Sequence, residues 1–385
     1  MVITGLDILL SERIDDFKSA KVGVVANQTS VTRQLIHISD ALVASGIKIQ
    51  AMFAPEHGVR GDVAAGVGID DCTDERFGIP IHSLYRAFDR PACIDLSDID
   101  VMLIDLQDVG ARYYTHLSIV KSVMDKCAQA GVPIWILDRP NPISGLTPEG
   151  PQVEDGFASR VGLSGIPITH SLTLGEAARF ISSISNTTYD LQIISMKNWS
   201  RSMCYDATGL QWVMPSPNIP SLDSAIVYPG TCLLEGTNVS EGRGTTRPFE
   251  LVGAPWIDSM RLRDELQSYD LSGVLFREAY FSPTCCKFKG ERCAGVQMHV
   301  VDRNNYRSVM TGIAVVSAIA RLYPLEFSFN PPENNENYFF DLLAGNSWLR
   351  QAILDGKSPR HIAELWSDEL AEYVKAAKEY YLYNK

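Results

Sequence analysis

The stretch Asp100-Val-Met-Leu-Ile-Asp-Leu-Gln-Asp-Val-Gly-Ala-Arg-Tyr-Tyr-Thr115 joins an apolar run to a polar loop and decides the fold class. Its first residues are mostly Val, Met, Leu and Ile without strict alternation, as expected of a strand buried on both faces of a parallel sheet. Thr115 stands where an N-cap belongs, and the helix predicted after it has Val120 and Val123 on one face. A strand, a loop and a helix in this order are typical of a parallel sheet covered by helices.

The same pattern recurs on both sides of this stretch. Further parallel strands are predicted at residues 21–27, 48–55, 133–139 and 191–196. Between the first two of them, Leu35, Ile38 and Leu42 share one face of a predicted helix. The first part of the chain is therefore predicted to be an α/β domain with a parallel sheet.

A Pro-rich segment at residues 214–220 breaks this alternation, and a chain of 385 residues is long enough for two hydrophobic cores. We therefore predict two domains, residues 1–222 and residues 223–385. In the second, strands are predicted at 225–234, 274–281 and 293–302, and helices at 309–322, 347–354 and 358–381. This mixture predicts a smaller α+β domain.

Composition limits the partners of the chain. There are 34 Lys and Arg against 46 Asp and Glu, a formal charge of −12, which disfavours nucleic acid and anionic membranes as partners. No apolar run approaches the roughly 20 residues of a membrane helix. An anionic substrate would have to be met by a local arginine or lysine.

The eight cysteines show neither metal nor disulfide spacing. Buried free thiols in a reducing compartment are the interpretation that we favour, and no signal peptide is visible after Met1. The predicted location is therefore the cytoplasm, or the periplasm or exterior if a signal peptide has been removed.

Polar residues are dense where the predicted strands end, and open parallel sheets bind ligands at the carboxyl ends of their strands. Glu56 follows Pro55 directly after an apolar run, where burial would suit it to general-acid catalysis. The alternative is a loop carboxylate paired with His57 or Arg60. His57 itself either binds substrate or is structural.

The loop after residue 106 offers several further candidates. Side chains alternate in direction along an extended segment, so at most two of Asp105, Gln107 and Asp108 face one cleft, and one acid there is expected to cap a helix or to pair with Arg112. Arg112 is the candidate for a bidentate bond to a substrate carboxylate. Tyr114 is a candidate for stacking on a sugar or peptide. Asn141, after the strand at 133–139, is a further candidate.

The segment that starts at Tyr228 carries Glu235, Asn238, Glu241 and Arg243 in a Gly-rich polar loop. It lacks the Gly-Lys-Ser/Thr ending of a P-loop and the spaced glycines of a dinucleotide fingerprint, so nucleotide binding is rejected. The loop predicts a site for a polar or carboxylate-bearing ligand, and the alternative is an Ω-loop that satisfies its own backbone.

No metal or cofactor is predicted. Convergence of His57, Asp105 and Asp108 would be needed for a metal site, but His-rich ligand spacings are absent. A Gly-x-Ser-x-Gly nucleophile elbow is also absent, so acyl-enzyme chemistry is not expected.

Five segments together resemble the exo-β-N-acetylmuramidases. They are Pro55-Glu-His-Gly, Asp105-Leu-Gln-Asp-Val-Gly-Ala-Arg-Tyr-Tyr-Thr, Asp138-Arg-Pro-Asn-Pro, Pro215-Ser-Pro-Asn-Ile-Pro and Glu235-Gly-Thr-Asn-Val-Ser-Glu-Gly-Arg-Gly-Thr. The resemblance runs from Gly5-Leu-Asp to the final Tyr380-Tyr-Leu-Tyr and implies a Rossmann-like first domain, a smaller second domain and a cleft between them.

The resemblance also implies the activity, which is removal of N-acetylmuramic acid from the non-reducing end of peptidoglycan fragments such as muropeptide disaccharides. The site residues predicted as catalytic are Glu56, Asp108 and Glu241. Those predicted to bind substrate are His57, Gln107, Arg112, Tyr114, Asn141, Glu235, Asn238 and Arg243. An arginine would meet the lactyl carboxylate of muramic acid.

Several alternatives remain open at this point. The second group required at the anomeric carbon is either a carboxylate or the acetamido group of the substrate. The other functions to consider are a non-catalytic muropeptide-binding or sensing protein and a metal-dependent phosphoesterase. Oligomeric state is not predicted.

Overall fold

A seven-stranded sheet is the largest element of the computed structural model, which describes residues 1–64, 67–85, 95–332 and 337–384. Its strands are β1 (Lys21–Ala26), β2 (Lys48–Ala54), β3 (Cys72–Thr73), β4 (Pro80–Ser83), β5 (Val101–Asp105), β6 (Ile134–Leu137) and β7 (Leu191–Ile194). They lie in the order β3-β4-β2-β1-β5-β6-β7, and every pair is parallel except β3 with β4. All five strands predicted for this part of the chain are therefore confirmed.

Helices cover both faces of this sheet. They are α1 (Gly5–Ile8), α2 (Ile38–Ala44), α3 (His116–Ala130) and α4 (Leu174–Ile184). Successive residues of one strand enter different cores, as Val24 and Val25 of β1 do. Burial on both faces explains why the strands are apolar without alternation, and it confirms the Rossmann-like prediction.

A second sheet has three antiparallel strands, β8 (Leu251–Ala254), β9 (Val274–Phe281) and β10 (Cys293–Val300), with β10 in the centre. The helices of this part of the chain are α5 (Leu222–Thr231), α6 (Ser259–Gln267), α7 (Ser308–Leu322), α8 (Phe339–Ala344), α9 (Trp348–Leu354), α10 (Pro359–Glu364) and α11 (Ser367–Ala377). The predicted smaller α+β unit is confirmed, whereas the exact boundary after residue 222 stays a prediction.

The strand predicted at 225–234 is wrong, because these residues form α5 and a following 3₁₀ turn. α5 packs so closely on α7 that a Cβ atom added to Gly230 would lie 1.9 Å from the carbonyl oxygen of Ser308. Residues 225–234 are all buried and nearly all apolar, and such a run has no period that separates a helix from a buried strand.

The C-terminal segment returns to the first sheet. Tyr373 and Ala377 of α11 join the core that contains α3 and α4. Beyond the helix, the Tyr383 hydroxyl donates to Asp138 at 2.6 Å and the Leu382 N–H donates to Glu176 at 2.8 Å. The last part of the chain thus completes the packing of the first unit.

Two other expectations concern the surface. No helix within the described ranges is both long and apolar enough to cross a membrane. The described cysteines are all free; three of them are buried, Cys127, Cys232 and Cys293, and three are exposed, Cys72, Cys285 and Cys286. The expectation that the thiols are buried is therefore wrong for Cys72, Cys285 and Cys286.

Candidate active site

A cleft of about 950 Å³ lies between the carboxyl ends of the first sheet and the second unit. Its lining includes Glu56, His57 and Tyr114 from the first unit and Glu235 and Arg243 from the second. The volume is at the upper end of the usual range for small-molecule sites, about 300–1,000 Å³. Five predicted site residues therefore share one cavity.

Glu56 follows β2 on a tight turn. The N–H of Gly58 donates to the carbonyl of Pro55 at 3.1 Å, and His57 adopts a left-handed φ of 75°. This turn directs the half-buried Glu56 carboxylate into the cleft, where the Thr115 hydroxyl donates to it at 3.3 Å. The strained turn is a feature often found where a side chain has a functional role.

Tyr85 and Arg160 also line the cleft, although the sequence did not single them out. The Tyr85 side chain is hydrogen-bonded to Glu56, and burial, followed by the Glu56 charge, raises the pKa of Tyr85. The guanidinium of Arg160 lies 5.7 Å from the centre of the Tyr85 ring. Tyr85 follows β4, so its place at a strand end was the signal that would have identified it.

His57 and Tyr114 both lie in the cleft wall, and one polar atom of each side chain already contacts a backbone carbonyl. Nδ1 of His57 lies 2.9 Å from the carbonyl oxygen of Val63. The Tyr114 hydroxyl donates to the carbonyl of Pro215 at 2.8 Å, and its ring packs edge-on against Tyr228. Tyr114 therefore presents a ring rather than a free hydroxyl to a ligand.

Glu235 and Arg243 form an ion pair in the other wall, with 2.6 Å between Oε1 and a terminal nitrogen of the guanidinium. Arg243 also lies 3.6 Å from Glu241, whose other oxygen pairs with Lys287 at 3.0 Å. Burial raises the pKa of Glu235, with Arg243 acting in the opposite direction. Although burial works against the charged guanidinium, Glu235 and Glu241 raise the pKa of Arg243. The cleft thus holds a permanently charged cation beside a carboxyl group.

Two of the three predicted catalytic carboxylates lie behind the wall. Asp108 is 4% exposed, and its Oδ2 accepts from the Gly110 N–H at 2.7 Å and contacts Nε2 of His170 at 3.1 Å. Glu241 is 3% exposed and faces Lys287. Of the three, only Glu56 lines the described part of the cleft.

Gln107, Asn141 and Asn238 hold loops in place in this structure. Gln107 donates to the carbonyl of Pro140 at 2.7 Å, and Asn141 donates to that of Leu172 at 2.9 Å. Asn238 donates to the carbonyl of Glu326 at 2.7 Å. These bonds shape the surroundings of the cleft, but the three side chains are not among its lining.

Arg112 does not occupy the position expected of a substrate ligand. Its side chain is 0% exposed and donates to the carbonyls of Pro151 at 2.8 Å, Ile166 at 3.0 Å and Leu343 at 2.6 Å. Burial lowers the pKa of Arg112 to about 10. Of the two roles expected for an acid of this segment, pairing with Arg112 is not seen, because Asp105 pairs with Arg139, whereas Asp108 does accept a local backbone N–H, that of Gly110.

Within the described residues, no group of three or more His, Cys, Asp or Glu side chains is arranged to hold a metal ion.

Comparisons with known proteins cover the whole chain. Residues 22–223 match the family described as exo-β-N-acetylmuramidase NamZ, N-terminal, and residues 226–383 match its C-terminal counterpart. A relative in Bacillus subtilis (strain 168), peptidoglycan β-N-acetylmuramidase NamZ, is 42% identical over 383 residues, which are 99% of this chain and 91% of the relative.

Two solved structures of DUF1343 family proteins from Bacteroides fragilis NCTC 9343 are also similar. One superposes with a TM-score of 0.91 at 34% identity, and the other with a TM-score of 0.79 at 28% identity. Each comparison covers 100% of this chain and 99% of the other.

Proposed function

Because this chain belongs to the NamZ family of exo-β-N-acetylmuramidases, we propose that it is a glycosidase that releases N-acetylmuramic acid from the non-reducing end of peptidoglycan fragments. Its substrates would be muropeptide disaccharides and similar fragments. The single observation that carries the assignment of the site is the half-buried carboxyl of Glu56, directed into a cleft large enough for a disaccharide.

In this proposal, Glu56 is the general acid. Its proton goes to the glycosidic oxygen as the bond from that oxygen to the anomeric carbon breaks. The hydroxyl of a water molecule then bonds to the anomeric carbon, and the remaining proton of that water restores the protonated acid. The hydrogen bonds from Thr115 and Tyr85 fix the orientation of the carboxyl group. Orientation matters because proton transfer requires a heavy-atom distance of about 2.6–3.2 Å.

The opposite wall supplies recognition. The lactyl group of muramic acid carries a carboxylate, whereas the protein chain has a net charge of −12. Binding of the lactyl carboxylate therefore depends on a local cation. Arg243 provides one, and its ion pair with Glu235 holds the guanidinium at the cleft surface. We assign this pair to substrate binding, and Arg112 to holding the two units together.

Glu56→Gln tests the proposal, because the amide keeps the shape of the side chain but cannot give up a proton as the acid does. Turnover of a chromogenic muramide should fall by about 10²–10⁴. Glu372→Gln, on the exposed surface of α11, is the matched control and should turn over normally. Near-normal activity of a folded Glu56→Gln variant would remove Glu56 from the acid role.

The same assay separates the other candidate functions. A wild-type chain that binds muropeptides without turnover would be a binding or sensing protein. A metal-dependent phosphoesterase would instead turn over a chromogenic phosphate ester and lose that activity with EDTA.

We also propose that the chain works in a reducing compartment, the cytoplasm, on imported fragments. Support comes from the free cysteines, three of which are exposed and would be open to oxidation elsewhere. Cell fractionation tests this location, and recovery from the periplasm or the medium would contradict it.

A further inference from the structure

Cys285 and Cys286 are the only adjacent cysteines in the sequence, and the proposed reaction uses neither of them. Both are free and exposed, and their sulfur atoms lie 3.6 Å apart. Neighbouring side chains of an extended strand point in opposite directions. Here Cys286 has a left-handed φ of 63°, which turns its thiol to the same side as that of Cys285.

The separation of the two sulfurs suits one bridging atom better than a direct bond. A disulfide needs the sulfurs at about 2.05 Å, so the loop would have to move for a bond to form. Two bonds of about 2.3 Å from a single soft centre, at an angle between about 100° and the tetrahedral value, hold their sulfurs about 3.5–3.8 Å apart. Trivalent arsenic with one organic substituent makes bonds to sulfur of comparable length and needs only two thiol ligands.

The pair formed by Cys285 and Cys286, called the dithiol below, lies against the loop that carries Arg243. The backbone N–H and the hydroxyl of Thr284 both donate to the carbonyl of Gly244 at 2.9 Å. A Cβ atom added to Gly244 would lie 2.7 Å from the backbone nitrogen of Cys285, so the two backbones are in close contact.

The residue that follows the dithiol in the sequence, Lys287, anchors the same loop. Lys287 donates to the carbonyls of Leu234 at 2.8 Å and Val239 at 3.0 Å, and to Glu241 at 3.0 Å. Cys285 and Cys286 therefore sit between two anchors that fix the Glu235–Arg243 wall.

We propose that Cys285 and Cys286 form a modification site for soft, thiol-bridging electrophiles of the monosubstituted trivalent arsenical class, and that its occupancy weakens substrate binding through Arg243. In the reaction, two thiols displace the two hydroxyls of an organoarsonous acid. Two As–S bonds form and two As–O bonds break, both thiol protons leave in two water molecules, and arsenic stays trivalent. The effect on activity rests on the proposed function.

The resting state of the Cys286 thiol agrees with this chemistry. Although Cys286 is exposed as a residue, partial burial of its thiol, followed by the neighbouring Cys285 thiol, raises the pKa of Cys286. A protonated thiol reacts slowly with reagents that modify one sulfur, because the thiolate is the nucleophile. A reagent that makes two bonds gains from having both sulfurs already side by side.

Intact-mass measurement with hydrated phenylarsine oxide tests the site. The mass of the wild-type chain should rise by that of one phenylarsenic group minus two hydrogen atoms. This adduct should survive an excess of a monothiol, and a small dithiol should remove it. Cys285→Ser and Cys286→Ser should each lose this stable adduct, and Cys72→Ser, which removes an exposed cysteine elsewhere, should keep it. An adduct retained by the Cys285→Ser, Cys286→Ser double variant would overturn the site.

The coupling to Arg243 has its own readout. The adduct should raise KM for a muramide severalfold with a smaller change in kcat, and the double variant should be indifferent to the reagent. A stoichiometric adduct that leaves KM unchanged would overturn the coupling. If the chain had no muramidase activity, the proposed function would fail while the mass measurement still decided the site.

Discussion

Replacing Arg112 by Met separates a structural arginine from a substrate-binding one. Methionine fills a similar space with apolar atoms, but it leaves three carbonyl groups without their donor, two in the first unit and that of Leu343 in α8. A hydrogen bond to a charged group contributes about 1.5–3 kcal/mol. Removing the charged guanidinium from its buried position offsets part of this lost free energy. Burial disfavours the charge, because it lowers the pKa of Arg112 to about 10. Leaving a buried acceptor without its donor costs about 1–3 kcal/mol, so the expected net loss of unfolding free energy for the three carbonyls is roughly 3–5 kcal/mol.

The assay is equilibrium unfolding in urea, where the midpoint should fall by about 1 M or more. Arg360→Met, in α10, is the control because that arginine is exposed, and its midpoint should stay near that of the wild type. At a temperature where the variant is folded, its kcat/KM should change equally for muramides and for N-acetylglucosaminides. An unchanged midpoint, or a selective loss on muramides, would refute the structural assignment of Arg112.

Two further predictions concern recognition and pH. Arg243→Ala should lower kcat/KM on chromogenic muramides about 10- to 100-fold more than on the matching N-acetylglucosaminides, which lack the lactyl carboxylate; an equal loss on both would mean that the lactyl group is bound elsewhere. Burial raises the pKa of Asp138 to about 6 despite hydrogen bonds from Tyr383, Gly175 and Thr173. Because this exceeds the unfolded value of about 3.9, the folded chain holds the extra proton, and stability should fall as pH rises from about 4 through 6. In the wild-type chain this fall amounts to about 3 kcal/mol of unfolding free energy, and it should be absent in Asp138→Asn. A variant with the pH dependence of the wild type would contradict the assignment of the raised pKa to Asp138.

The first sheet was predictable because its strands are buried on both faces and are short and apolar, with polar loops at one edge. β4 was missed because it has only four residues and an exposed first position. The helix α5 was mistaken for a strand because it is buried all round, which removes the period of 3.6 residues.

The candidate site was predictable as a set of segments but not as a set of side-chain directions. The sequence placed Glu56 and Arg112 in the loops after two predicted strands, where both were expected to face one ligand. The structure turns Glu56 into the cleft and Arg112 into the packing between the two units, because the carbonyls of distant residues such as Leu343 accept its hydrogen bonds. Such partners lie far away along the chain, and no local pattern reveals them.

The return of the C-terminal segment to the first sheet has a consequence for synthesis. Domains generally fold as units while the ribosome is still extending the chain, with the N-terminal one first. Here the buried Asp138 receives the hydroxyl of Tyr383, and Glu176 receives the N–H of Leu382. The nascent first unit must therefore wait for the whole second unit to be translated before its last core positions are filled. Until then its exposed apolar surface is a place where a chaperone would bind.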